Sequence, residues 1–440
     1  MIYIEHKKTE NISGVVWIIA IWILYSQSKG LGFFLNINTT IEAGSLPDRY
    51  FLIALGILSL IIILQRHFSF TDLLKGNIPI VAILIYSLIS VIWSRFPLIS
   101  FRGWGREAVA FILALLLCSE KYPTRTLVSA FKKAIYTALP LSILLIKYYP
   151  AYGRIYGRWS GELSWVGIAS QKNGLAEICA LSALFLIWSL EKNIKNLERS
   201  SSILSILTDI FMVSLALYLM MGPKKTFSYS ATSFLALLVG LFFYMLLKVA
   251  AKYKINIERF IMTFVIIILT MGVVIPFSGK IPIQSLPKYL NRSETLTGRT
   301  EIWNSLIPYA KQQIILGHGF GGFWTTSLRD QIASHSHNGY LNTILELGLI
   351  GLLLFYLFFI IVIKKSFILL KSENQISFLF ISIILMILVR NISEVSIGNI
   401  SNYSMWLLVV WSIIIGKRSN LMKAEESPKD LHLTVISDKY

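Results

Sequence analysis

The chain has 440 residues, of which 55% are hydrophobic and only 15% charged, with a mean hydropathy of +0.66. Soluble domains carry about 25% charged residues, so this composition excludes a soluble enzyme, a disordered chain and a secreted disulfide scaffold. Its net charge of +18, from 41 basic and 23 acidic residues, falls largely at short junctions between apolar stretches, so a membrane protein and not a nucleic-acid binder is expected.

A membrane span needs about 20 largely apolar residues. In chain order, the predicted spans are 12–28, 49–65, 77–93, 105–119, 134–150, 173–190, 203–221, 229–248, 260–278, 340–363, 375–393 and 401–416. The expectation is therefore an all-α polytopic protein of about twelve transmembrane helices, with a transmembrane domain over 1–418 and a polar cytoplasmic tail over 419–440. The first stretch has no small-residue cleavage site and reads as a span rather than a cleaved leader. Clusters of Lys and Arg in 66–76, 120–133, 191–202, 249–259, 364–374 and the tail place these segments inside. Twelve spans then put both termini in the cytoplasm, and the longest external loop, 279–339, falls between spans 9 and 10. Cys118 and Cys179 lie in apolar surroundings without metal or redox spacing and read as buried filler.

Several basic residues fall on the face that should lack them. They include Arg102 and Arg106 after the third span, Arg154, Arg158 and Lys172 after the fifth, and Lys224 and Lys225 after the seventh. The long loop adds Arg292, Arg299 and Arg329. Each alone is explained by headgroup anchoring. As a set from four external segments they fit a positive pocket for a phosphorylated lipid, and arginine's planar fork suits phosphate oxygens. Lys172 and Asn173 open the sixth span, where unpaired backbone N–H groups also attract an anion; a snorkelling lysine beside a capping asparagine is the plainer reading.

Within the long loop, Thr297-Gly298-Arg299-Thr300-Glu301 leads into Ile302, Trp303, Leu306, Ile307 and Ala310 at helical spacing. Thr300 can cap that helix. Arg299 at its positive end is unfavourable unless an anion satisfies both, or Glu294 or Asp330 pairs with it. Gly317-His318-Gly319-Phe320-Gly321-Gly322 lacks nucleotide-motif spacing and reads either as a shaped loop offering aromatics to a sugar or as a packed turn. Three of the six histidines, His318, His335 and His337, lie in this loop. One of them can act as general base towards a hydroxyl, oriented by Asn338 or Tyr340, with Glu346 holding the helix terminus or the base. A zinc site would need partners absent at usual spacing, so no metal and no cofactor is expected. Arg390 and Glu394 are expected to pair with each other.

The ordered set of Trp93-Ser94, Trp165-Val166-Gly167-Ile168 with Lys172-Asn173, Thr297-Gly298-Arg299 with Trp303, Gly317-His318-Gly319-Phe320-Gly321, and His337-Asn338-Gly339-Tyr340-Leu341 with Glu346 resembles the O-antigen ligase/Wzy-type polysaccharide polymerase superfamily of bacterial inner membranes. The resemblance spans roughly residues 85–360, and the 165–175 stretch is most similar to its exopolysaccharide-polymerase branch. It implies a metal-independent, inverting glycosyltransferase on the outer face of the inner membrane, taking undecaprenyl-diphosphate-linked glycan. His337 would be the base and Arg299 would lie near the diphosphate. The partners implied are that lipid, membrane lipid and a chain-length regulator protein. Where the family has a basic residue in a Ser-x-Ser-basic-Thr pattern, this chain has Ala231 in Ser228-Tyr229-Ser230-Ala231-Thr232. Polymerisation of repeat units is the leading expectation. Ligation of the finished glycan to lipid A-core or another acceptor is the alternative, and a lipid-linked oligosaccharide transporter or a non-catalytic assembly component would be different classes.

Overall fold

The computed structural model describes residues 13–37, 44–66, 77–156, 161, 163–195, 201–223, 230–278, 298–370 and 376–425. Its helices are α1 (Val15–Gln27), α2 (Leu46–Leu64), α3 (Ile78–Ile89), α4 (Pro97–Cys118), α5 (Pro123–Tyr148), α6 (Lys172–Ile194), α7 (Ser201–Met221), α8 (Ala231–Lys252) and α9 (Glu258–Ser278), then α10 (Arg299–Gln312), α11 (Thr326–Gln331), α12 (Gly339–Leu370), α13 (Ile376–Arg390) and α14 (Tyr403–Glu425). Short helical turns occur at Leu31–Phe34 and Pro150–Gly153. The hairpin β1 (Arg154–Tyr156) and β2 (Leu163–Trp165) pairs antiparallel with Arg154 opposite Trp165.

The expectation of twelve spans is not met. Among the described residues, seven helices are long and apolar enough to cross a membrane: α2, α5, α6, residues Ile203–Met221 of α7, α8, α9 and α12. The sequence windows 12–28, 77–93 and 375–393 fold into apolar helices of only 13, 12 and 15 residues. At 1.5 Å per residue, these reach about 18–23 Å of a hydrocarbon layer near 30 Å thick. Hydropathy windows cannot see where a helix stops: α3 gives way to turns before Ser94, and α13 ends at Arg390. The window 105–119 lies in α4, whose N-terminal half carries Arg102, Arg106 and Glu107. With seven candidate spans there is no loop between spans 9 and 10. The polar segment instead joins the sixth and seventh, α9 and α12, and the even-count argument that put both termini inside falls with it. Residues 419–425 continue α14 as helix, and 426–440 lie outside the described residues.

Helix α12 is the hub, packing against α3, α9, α10, α13 and α14. It is broken at Gly348, where φ is 64° and ψ −166°. A broken helix inside a membrane needs its freed backbone groups satisfied by protein. Here the turn segment 314–319 does so: His318 N donates to Leu345 O at 2.9 Å, Gly319 N to Glu346 O at 3.0 Å, and Leu349 N to Ile314 O at 2.8 Å. A Cβ on Gly348 would meet Ile315 O at 2.1 Å, so only glycine allows this approach. The glycine-rich loop then docks on the α3–α4 turn, with Phe320 N donating to Ser90 Oγ at 3.0 Å and Trp93 Nε1 to Gly317 O at 3.2 Å. Phe320, Phe323 and Trp324 are buried, so the loop is a packed turn.

Candidate functional site

The site forms where four chain segments meet at one carboxylate. After α13 ends, Asn391 Oδ1 accepts from Ser396 N at 2.8 Å and Ile397 N at 3.0 Å, closing a tight reversal. Glu394 lies within this reversal and is buried. Its Oε1 accepts from Arg299 Nη2 at 2.5 Å and from Asn173 Nδ2 at 2.6 Å. His337 Nδ1 lies 3.7 Å from Oε2, beyond hydrogen-bond length but within an ion-pair distance. Burial alone would raise the Glu394 carboxyl, but the adjacent His337 imidazole and Arg299 guanidinium overcome it and hold the group well below the usual carboxylate range. It is ionised at neutral pH.

Arg299 is the first residue of α10, following Gly298 at a φ of 82°. A cation at a helix's positive end is unfavourable, and Glu394 supplies the compensating charge. Glu294, one pairing partner expected from sequence, lies outside the described residues, and the partner observed for Arg299 is Glu394. The Arg299 Nε is buried and makes no hydrogen bond, as is His337 Nδ1.

His337 itself has a φ of 51°, a conformation uncommon for a residue with a side chain. Its neighbours impose it. Ser336 O accepts from Trp303 Nε1 at 2.9 Å, and Ser336 Oγ donates to Asn338 O at 2.7 Å. Asn338 caps α12 by accepting from Leu341 N at 2.7 Å, while its amide donates to Gly272 O at 3.0 Å and Ile392 O at 2.9 Å. These bonds use Asn338 as a fastener of the turn. Tyr340 is buried with its hydroxyl on Leu388 O at 2.8 Å, pointing away from the histidines. The His335 and His337 rings meet edge-on with centroids 4.1 Å apart. Burial, and then the neighbouring imidazole, holds His335 well below the usual histidine range, so it is neutral at pH 7. His318 Nε2 donates to Tyr309 O at 2.9 Å, and the ring rests beside Phe323.

His335, His337 and Glu394 offer ligand atoms within 4.8 Å of one another, a grouping that sequence spacing does not reveal because the carboxylate lies more than fifty residues downstream. The fit to a divalent cation is poor. One carboxylate oxygen already accepts from both Arg299 and Asn173, and the guanidinium would repel a metal ion set beside it.

A cavity of about 660 Å³ opens alongside. Arg49, Arg102, Arg106 and Arg329 line it, with His335 and Glu346 in its wall. Arg102 and Arg106, one turn apart on α4, therefore converge here with a loop arginine, and Arg49 joins from α2, which the sequence reading did not single out. Glu346 Oε2 accepts from Gly321 N at 3.1 Å and Oε1 from Asn342 Nδ2 at 3.1 Å, so this carboxylate fastens the glycine-rich loop. Lys172 opens α6 next to Asn173. Arg158, Lys224, Lys225 and Arg292 lie outside the described residues.

Arg390 pairs with Glu177 at 3.1 Å and not with Glu394. Its Nη2 donates to Asn173 O at 3.0 Å and its Nε to Ser233 Oγ at 3.4 Å. The guanidinium thus stands at the start of α8, two residues from Ala231, where the sequence pattern leads one to expect a basic side chain.

The family model described as O-antigen ligase (Wzy_C) matches residues 226–356. That range holds Arg299, His335, His337 and Glu346 but excludes Asn173 and Glu394. Over 292 residues the chain is 23% identical to "Exopolysaccharide production protein ExoQ" of Rhizobium meliloti (strain 1021), covering 62% of this chain and 62% of that protein.

Proposed function

The chain belongs to the O-antigen ligase/Wzy-type polymerase superfamily, and from that premise we propose that it transfers a glycan from a lipid diphosphate to an acceptor hydroxyl at the outer face of the bacterial inner membrane. The observation that carries this reading is the meeting of His337 and Arg299 at Glu394, next to a cavity walled by four arginines. A diphosphate leaving group needs positive charge where its negative charge develops, and the attacking hydroxyl needs a base. In the proposed step, His337 takes the proton of the acceptor hydroxyl as its oxygen attacks the anomeric carbon. The bond from that carbon to the diphosphate oxygen breaks, and the lipid diphosphate leaves with the electron pair towards the arginines. Attack opposite the leaving group inverts the anomeric centre. No metal ion takes part, Arg299 and its companions carrying the charge instead.

The description of the matched family favours ligation, transfer of a finished lipid-linked glycan to another acceptor, over the polymerisation that the sequence reading puts first. The relative named for exopolysaccharide production favours polymerisation as the second reading. Purified protein given a defined undecaprenyl-diphosphate glycan tests both. Release of lipid diphosphate with transfer to an added acceptor supports ligation, a ladder of lengthened lipid-linked glycan supports polymerisation, and no consumption of donor refutes the proposal. Cysteine labelling at exposed positions of 326–331 from the outer side tests the orientation, and reaction only from the cytoplasmic side overturns it.

A further inference from the structure

Of the two neighbouring histidines, His335 is the one in the wall of the arginine-lined cavity, and it also lines an adjoining chamber of about 210 Å³. His337 lines neither. Its Nδ1 is buried and turned towards Glu394, 3.7 Å from Oε2. The two imidazoles meet edge-on at 74° with centroids 4.1 Å apart, and a nitrogen of each falls within 4.8 Å of the other and of a Glu394 oxygen. From the cavity inward the order is therefore His335, His337, Glu394. Ser336, between the histidines, is buried and bonded to Trp303 and Asn338, which fixes the peptide that carries both rings. On the cavity side Ser334 Oγ stands 3.5 Å from His335 Nδ1 and accepts from Gln171 Nε2 at 3.3 Å.

A hydroxyl held in the cavity thus meets His335 before His337. A neutral imidazole has an acceptor nitrogen on one side and an N–H on the other, so it can take a proton at one and release a proton at the other. Burial, and then the neighbouring imidazole, keeps His335 well below the usual histidine range, so a proton does not stay there. On His337 the same proton lies within an ion-pair distance of the Glu394 carboxylate. A base oriented by a third group in this way is the arrangement that activates hydroxyls elsewhere, extended here by one ring.

We propose that His335 is a further catalytic residue, which meets the acceptor hydroxyl in the cavity and passes its proton to His337. This role rests on the glycosyl-transfer reading. As the acceptor oxygen bonds to the anomeric carbon, its O–H bond breaks and the proton goes to the acceptor nitrogen of His335. The N–H on the other side of that ring gives its proton to His337, after a small ring rotation or through one bridging water. His337 becomes an imidazolium facing Glu394, His335 stays neutral in its other tautomer, and the electron pair of the broken glycosyl bond leaves with the lipid diphosphate. Exchange with water in the cavity resets both rings.

The test uses the full chain in lipid nanodiscs. His335→Ala should lower transfer by at least about 10²-fold per folded molecule. Added imidazole, which can enter the space left in the cavity wall, should restore at least tenfold of that loss; a merely structural role would not be restored. His335→Gln keeps much of the side-chain volume, should show the same loss, and serves if His335→Ala fails to fold. A second measurement needs no turnover: diethyl pyrocarbonate should modify His335, mapped by mass spectrometry, and inorganic diphosphate among the arginines should slow that labelling. A wild-type rate in His335→Gln, a loss in folded His335→Ala that imidazole does not restore, or His335 labelling absent or untouched by diphosphate overturns the proposal. Absence of donor turnover in the wild type sinks the transfer reading and the relay with it, whereas normal wild-type turnover with an unaffected His335→Gln sinks the relay alone.

Discussion

Replacing Glu394 by Gln is the most informative single perturbation, because it keeps the size and polar shape of the side chain and removes only its charge. The carboxylate is 2% exposed and Arg299 12%, so the pair is nearly desolvated. Removing one partner of such a pair costs about 3–5 kcal/mol, since the remaining guanidinium is left buried and uncompensated at the positive end of α10. Glutamine still offers Asn173 an oxygen, which places the expected loss near the lower end, about 3 kcal/mol. Thermal unfolding in detergent should therefore fall by several degrees, and transfer from a lipid-linked donor by at least about 10²-fold, the scale of losing a positioned charge stabiliser. The double variant Arg299→Gln/Glu394→Gln sharpens the test. Two residues that act through one contact are not additive, so the double variant should be no less stable than the worse single. Glu394→Asp, one methylene shorter, should recover part of the rate by restoring the charge. Wild-type stability and rate in Glu394→Gln, or strictly additive losses in the double variant, would refute the assignment of Glu394 as the group that positions Arg299 and His337.

His337→Ala and Arg299→Ala should each lower transfer by at least about 10²-fold per folded molecule, checked by single-turnover assays, and Arg299→Ala should also lose stability because it leaves Glu394 buried and unpaired. Treatment with EDTA should leave the rate unchanged and metal analysis of the pure protein should find no stoichiometric ion, whereas loss of activity restored by one cation would reverse the reading of the His335, His337 and Glu394 cluster. His335 is held neutral below its ordinary value near 6.5, so its contribution to stability is full above that pH and is lost as pH falls below it; melting curves from pH 7.5 down to 5 should show a decline that His335→Gln flattens. Gly319→Ala, at a φ of +96° and with its Cβ 2.5 Å from Ser94 Cβ, should cost more than Gly298→Ala, which has open space and bears only about 1–2 kcal/mol of backbone strain at a φ of +82°.

The membrane class was legible from composition, and the position of α10 from the spacing of Trp303, Leu306 and Ala310, all three buried in the structure. The count of spans was not, because an apolar window records burial or lipid equally. Helix α13 is apolar through its length for the first reason: its residues from Leu379 to Leu388 face other helices. Helix α2 is apolar for the second, and only 22% of its window is buried. The histidine and arginine of the candidate site could be singled out because both sit in a polar loop. Glu394 lies four residues from Arg390, and sequence proximity alone pairs the two. In the structure the end of α13 points these two side chains to different partners, Glu177 and Arg299, and only the tertiary fold decides between a local and a distant ion pair.

That exchange of partners changes what the site can do. Had Arg390 held Glu394, Arg299 would stand at the start of α10 with no counter-charge, and the two histidines with a carboxylate would make a plausible metal set. With Arg299 on Glu394, the carboxylate fixes a guanidinium where a cation would otherwise go, and leaves Arg299 Nε without a protein partner. A guanidinium held rigidly beside a histidine puts positive charge where a metal ion would otherwise sit. Arg390 meanwhile brings a guanidinium to Ser233 at the start of α8, two residues from Ala231, with its charge offset by Glu177. The same reasoning explains why Asn173 bridges both halves. Its amide donates to Glu394 and its carbonyl accepts from Arg390, so a change there disturbs the two ion pairs together.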